Sequence, residues 1–269
     1  TDLVIPGIIG YFAGILYNQN NVASESSPVS SQMEREAIKL LLEMVGYDAN
    51  VGDGYLSSGG TVANIHSLWV ARNMKLWPLA VAIAFKKNQD NDLFITLRRS
   101  DLITEHFLEK KSEDLLNLSP GDVIQLKEQI YKEVEILFPE NQKEKTAAFE
   151  NTILDFTVNQ MGIHKFFKTA RENFPDEQEE EYLSGEMKVF LTKNKHYSLP
   201  KAMDLLGIGQ QSMEEIPYND KFQIDIGALQ ARIAELKEEK KLVLAMVSIF
   251  GSTEQGSLDD LSQIGKLCQ

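Results

Sequence analysis

Cysteine is almost absent: Cys268 is the single one in 269 residues. That excludes a disulfide framework and a cysteine zinc site, and it fits a reducing, cytoplasmic setting. Basic residues are also in deficit. Lys and Arg number 27 against 40 Asp and Glu, a net charge of −13. A general DNA or RNA binder needs clustered cations for counterion release, so no nucleic-acid partner is expected. Long apolar runs are missing too. A stretch such as Leu242 to Phe250 falls far short of a membrane span, so no membrane partner is expected. The opening Thr1-Asp2-Leu3 has no basic flank and no initiator Met; it reads as a start inside a longer protein, without a signal peptide. Neither GxGxxG nor GxxxxGK[ST] occurs, so dinucleotide and nucleoside-triphosphate cradles are not expected. What remains is ordinary for a soluble globular protein, 43% apolar and 25% charged, and long enough to bury a sizeable core.

Three zones follow one another. Residues 1 to about 87 are apolar-rich and read as compact. After Asn18-Gln19-Asn20-Asn21, Pro28-Val29-Ser30-Ser31 starts a helix whose buried face is Met33, Ile38, Leu41, Leu42 and Val45, ended by Gly46. A second helix reads from Val62 to Met74. Residues 88 to about 184 are rich in Lys, Glu, Gln and Asn with helical apolar stripes, and read as a helical insertion. Within them the acidic run 176–181 reads as a solvated hinge. From Met187 short strands alternate with helices: strand Met187–Thr192, helix Leu199–Leu206, strand Ser212–Ile216, helix Gly227–Lys240 and strand Leu242–Phe250. Another helix starts at Ser257, with Asp260 placed for a capping box. This alternation, with one strand apolar on both faces, predicts an α/β fold with a mostly parallel sheet and flanking helices. The expected division is an N-terminal helical segment over 1–50 and a ligand-binding domain over 51–269, interrupted by the insertion at 88–184.

Open parallel sheets bind ligands at the carboxyl ends of their strands, which singles out three loops. Ser58-Gly59-Gly60-Thr61-Val62-Ala63-Asn64 leads into a helix, whose free N–H groups favour a phosphate monoester. A plain Gly-rich turn that merely starts a helix is the competing reading. Lys193-Asn194-Lys195-His196-Tyr197-Ser198 sets His196 at a strand's carboxyl end, where an imidazole can stack on a ring or exchange a proton. The competing reading is a surface histidine with Ser198 as a helix N-cap. Gly251-Ser252-Thr253-Glu254-Gln255-Gly256 ends the most buried strand, either lining a ligand or simply turning. His66, His106 and His164 share no ligand spacing, so no metal site is expected.

Taken in order, these stretches resemble the pyridoxal-phosphate-dependent amino-acid decarboxylases, the group that includes the aromatic-amino-acid, histidine and glutamate enzymes. The matching residues are Leu16-Tyr17-Asn18-Gln19-Asn20-Asn21-Val22, Ser58 to Asn64, Leu68 to Asn73, Lys195-His196-Tyr197-Ser198, Asp204 to Gly209 and Gly251 to Asp259. The look is nearest to bacterial tyrosine decarboxylases, which carry a similar polar insertion. The resemblance implies part of the large domain of a type I pyridoxal-phosphate transferase-like fold. It implies pyridoxal 5'-phosphate held by Gly60 and Thr61, His196 stacked on its ring, and Thr253 beneath it. Asn18 and Asn20 fall on the substrate side. It further implies a homodimer that converts an L-amino acid to its amine, tyrosine before glutamate. The Schiff-base lysine and the aspartate for the ring nitrogen are expected beyond Gln269; the chain reads as a fragment, inactive alone. A carbon–carbon lyase of the sphingosine-phosphate type and a non-catalytic phosphate-binding scaffold are the alternatives.

Overall fold

The computed structural model describes residues 4–175 and 182–268, and the acidic run 176–181 lies outside the described residues. Two compact units divide the chain, Thr1–Gly60 and Thr61–Gln269.

The first unit holds α1 (Ile5–Tyr17) and α2 (Pro28–Met44). Proline opens both helices, where its missing N–H costs no bond. α1 reads IPGIIGYFAGILY with no charged residue, so it has no polar face to set against an apolar one. It buries no residue, and Leu16 and Tyr17 are each 83% exposed. The apolar residues of this helix therefore contribute no buried side chain to the unit. On α2 the expected apolar face also falls short, since Ile38 alone is buried while Met33, Leu41 and Val45 stay exposed. The 50s loop accounts for what is covered. A Cβ at Gly54 would stand 3.2 Å from Ile38 and one at Gly52 3.1 Å from Leu42. Glu34 ties the same loop down by accepting from the Leu56 N–H at 2.8 Å and from Asn21 at 2.9 Å. Those bonds, the backbone one first, hold its carboxyl below the ordinary range.

All of α3 (Gly60–Lys87) but its first residue belongs to the second unit, and the helix is far longer than the expected one to Met74. Pro78 stands inside it, where a proline removes one helical N–H and costs about 3 kcal/mol. The helix runs through it because Leu76 and the stretch from Leu79 to Phe85 are at most 1% exposed. Several such side chains, at about 1.5–3 kcal/mol each, outweigh one proline. The following zone is helical throughout its described part: α4 (Asp92–Leu97), α5 (Asp101–Ile103) running into a π-turn over Thr104–Leu108, α6 (Ser112–Leu116), α7 (Pro120–Leu137), α8 (Gln142–Asp155), α9 (Val158–Met161) and α10 (Ile163–Asn173). Phe85, Phe94 and Phe149 form its centre, with the first pair edge-on at 4.9 Å between centroids.

Then come β1 (Met187–Thr192), α11 (Ser198–Leu205), β2 (Met213–Ile216), α12 (Ile226–Glu238), β3 (Leu242–Val247) and α13 (Leu261–Leu267). The strands form a parallel sheet in the order β2-β1-β3. Central β1 is buried on both faces: Met187, Val189 and Leu191 join the core of α3 and the helical zone, while Phe190 joins Ile216, Leu229, Leu236 and Ile264 across the sheet. β3 ends at Val247, three residues before the expected Phe250, and only Leu242 and Leu244 along it are buried. The last helix also starts later than expected. Phe250 bridges Leu258 and keeps the Ser257 region extended, so Asp260 becomes the N-cap by accepting from the Gln263 N–H at 3.0 Å.

Candidate functional site

Three carboxyl-end loops, one from each parallel strand, line one cleft of about 930 Å³. Lys193 to Tyr197 comes from β1, Pro217, Tyr218 and Phe222 from β2, and Ser248 to Gln255 from β3; Asn64 of α3 completes the wall. The chain takes this path because β1 is the middle strand. Its following loop is therefore flanked on both sides by the loops of its neighbours.

His196 is exposed to this cleft and lies against Tyr197, ring centroids 4.3 Å apart. Its orientation comes from behind. The amide of Asn64 donates to Ser198 Oγ at 2.8 Å, and Ser198 Oγ stands 2.7 Å from His196 Nδ1. The Ser198 backbone N–H also points at Nδ1, at 3.3 Å. An N–H can only donate, so Nδ1 is an acceptor, the Ser198 hydroxyl gives it its proton, and the ring's own proton sits on Nε2. Ser198 is fully buried and is the first residue of α11. It makes no N-cap; its hydroxyl serves the histidine.

Thr253 lies in the β3 loop on the cleft wall and is exposed. Gly251 and Gly256 allow this loop, with φ of 109° and 62°, values that favour glycine. Asp259 anchors it. Its buried carboxylate accepts from the Ile249 N–H and the Ile224 N–H, each at 2.7 Å, and so ties the β3 loop to the segment after β2. Ser252 Oγ accepts from the Ser257 N–H at 3.0 Å and closes the turn.

Gly60 and Thr61 open α3, and Asn64, one turn on, lines the cleft. The first N–H groups of a helix have no partner within it. Thr61 Oγ1 has no hydrogen-bond partner among the described residues, and a Cβ at Gly60 would meet nothing within 4 Å. Asn18 and Asn20 belong to the first unit. Asn18 caps α1 in a left-handed conformation (φ 43°), and Asn20 Oδ1 accepts from the Val22 N–H at 3.1 Å. Among the described residues no group of three or more His, Cys, Asp and Glu side chains has metal-binding geometry.

Some wall residues escape sequence reasoning. Tyr218 and Phe222, with rings 5.4 Å apart, come from the β2 loop, outside the three stretches that the sequence singles out. The rule for parallel strands would have found them once β2 was set in the sheet. Asp259's two-amide grip has no sequence signature.

Residues 158–269 match the pyridoxal-dependent decarboxylase conserved domain. The chain is 28% identical over its whole length to an L-tyrosine decarboxylase of Levilactobacillus brevis, and 27% identical over 99% of its length to one of Enterococcus faecium. It spans about a third of these curated relatives, 34% and 35%. Among solved structures, the glutamate decarboxylase domain of a Vibrio parahaemolyticus protein superposes over 99% of this chain and 38% of that one. Its TM-score is 0.58 at 15% identity, which speaks to the fold alone.

Proposed function

With the pyridoxal-dependent decarboxylase domain of residues 158–269 as premise, we propose that this protein uses pyridoxal 5'-phosphate to decarboxylate an L-amino acid to its amine, with tyrosine as first substrate and glutamate as second. The observation that carries this reading is the convergence of His196 and Thr253 on one cleft, with Nδ1 of the histidine turned to the Ser198 hydroxyl and backbone N–H. The L-tyrosine decarboxylases among its relatives support the substrate order.

The donor set fits a flat, anionic cofactor. In this reading the Gly60 amide and the Thr61 hydroxyl hold the phosphate, a charged acceptor suited to a helix N-terminus. The His196 ring would stack on the pyridine, and Thr253 would lie near the cofactor's ring substituents. Bound there, the cofactor supplies the sink for the electron pair left by departing CO2. Asn64 and Ser198 hold the His196 ring in one orientation and keep its exchangeable proton at Nε2. Asp259 keeps the Thr253 loop at the cleft by gripping two backbone amides. Asn18 and Asn20 are assigned to the substrate side, and the protein is assigned a homodimeric, cytoplasmic state; these assignments rest on the sequence resemblance. Among the described residues no helix is long and apolar enough to cross a membrane.

The test uses the protein purified from its source, supplied with pyridoxal phosphate and L-tyrosine or L-glutamate. CO2 and the matching amine in equal amounts are expected. Aldehyde release from a phosphorylated β-hydroxy amine, offered in a separate assay, would assign the cleft to a carbon–carbon lyase, and neither CO2 nor amine from either amino acid would refute the reading.

A further inference from the structure

A second cavity, of about 350 Å³, lies among α3, α7, α8 and α9 and shares no wall residue with the strand-end cleft. Its volume falls in the range of small-molecule sites, and its interior is largely apolar. Leu76 and Trp77 of α3 line it together with Phe149 and Ile153 of α8.

The charges beside this cavity are unbalanced. The Arg72 guanidinium is buried, 8% exposed. Its acceptors are all neutral: the Leu206 carbonyl at 2.8 Å, Asn159 Oδ1 at 3.2 Å and Asn73 Oδ1 at 3.3 Å. No carboxylate pairs with it among the described residues. A buried cation normally finds a counter-charge, because desolvation without one is costly. Burial accordingly pulls the Arg72 pKa down. Asn73 and Asn159 both line the cavity, and both have committed their oxygens to Arg72. What these two carboxamides still offer is their N–H donors. Lys127 adds an ammonium on the wall, 5.6 Å from the Tyr131 ring centre and without an ion pair among the described residues. The one acid on the wall, Glu150, already accepts from the Tyr131 hydroxyl at 2.6 Å.

We propose that this cavity binds a small aromatic carboxylate, with its ring between Trp77 and Phe149 and its carboxylate facing Asn73, Asn159 and Lys127. The ligand supplies the negative charge that Arg72 lacks, relayed through two carboxamides whose orientation Arg72 fixes. Nothing in this assignment depends on the chemistry of the strand-end cleft.

The probe is 3-phenylpropionate, with 3-phenylpropanol as its uncharged counterpart. The readout is the Trp77 indole N–H resonance, assigned with a Trp69→Phe variant, since the chain has 2 tryptophans. The acid is expected to shift the Trp77 signal saturably, with the alcohol at least about tenfold weaker, as one charged contact is worth about a decade or more. Asn159→Asp places a carboxylate directly on Arg72 in nearly the same shape. It should lower affinity for the acid at least about tenfold while leaving that for the alcohol unchanged, which also shows that the variant is folded. Lys127→Gln should weaken the acid severalfold. Absence of a saturable Trp77 shift, equal binding of acid and alcohol, or undiminished acid binding by Asn159→Asp would each overturn the proposal.

Discussion

Replacing Ser198 by alanine removes the hydroxyl that links Asn64 to His196 and nothing else of size. The side chain is fully buried, and it makes two hydrogen bonds, 2.8 Å to the Asn64 amide and 2.7 Å to His196 Nδ1. Neutral bonds of this kind contribute about 0.5–1.5 kcal/mol each, so Ser198→Ala should destabilise the protein by about 1–3 kcal/mol. His196 is exposed and can turn to water, so the lower half of that range is the sharper expectation. Asn64→Ala loses only one of the two bonds. In a double-mutant cycle the pair should therefore show a coupling of about 0.5–1.5 kcal/mol. The imidazole should respond as well. Only the long backbone contact at 3.3 Å still points at Nδ1 in the variant. Loss of about 1 kcal/mol of preference lowers the ratio of the two neutral tautomers about fivefold. Urea denaturation measures the first effect, and nitrogen-correlated NMR of the imidazole at alkaline pH measures the second. A loss below about 0.5 kcal/mol together with an unchanged tautomer ratio would refute the relay.

Three further outcomes follow from the same geometry. Thr61→Ala should weaken pyridoxal phosphate binding by about one to two decades, the worth of one bond to a charged group, and unchanged affinity in a cofactor titration would remove Thr61 from the site. His196→Phe should keep more cofactor affinity than His196→Ala because a flat ring survives, and equal losses measured by cofactor titration would deny stacking. The third concerns acid. Burial alone would push the Glu214 carboxyl up, but Arg232 at 2.9 Å and Lys188 at 3.3 Å outweigh it and hold its pKa below 4.5. A depressed folded value gives stability that is present above the unfolded pKa and lost as pH falls through the folded one. Denaturant midpoints should therefore fall more steeply below about pH 4.5 in the wild type than in Glu214→Gln, and parallel curves would contradict this.

The strand and helix alternation from Met187 onward was legible because β1, α11, β2, α12 and β3 each have a clear period and a clear stop, as Gly207 stops α11. Where reading failed, long-range contact had overruled a local signal. The helix expected to end at Met74 instead runs through Pro78 to Lys87, carried by the burial around it. Ser257 reads as a helix start, yet the Phe250–Leu258 bridge and the Asp259 anchor keep it extended. The apolar sequence of α1 reads as core, while its residues are exposed. For the site, the rule that ligands gather at the ends of parallel strands located His196 and Thr253. It could not show that Asn64, 134 positions from Ser198, fixes the ring through that serine. Such a contact exists only once α3 and α11 have packed.

The central claim is that the cleft at the ends of β1, β2 and β3 receives pyridoxal phosphate. A titration of isotope-labelled protein with the cofactor, followed residue by residue by NMR, tests it most directly, because location is read even when affinity is low. Saturable shifts are expected at Thr61, Asn64, His196 and Thr253, with the His196 side-chain signals moving most and Nε2 remaining protonated. Shifts confined to residues outside these loops, or none at His196 and Thr253 under saturating cofactor, would contradict it.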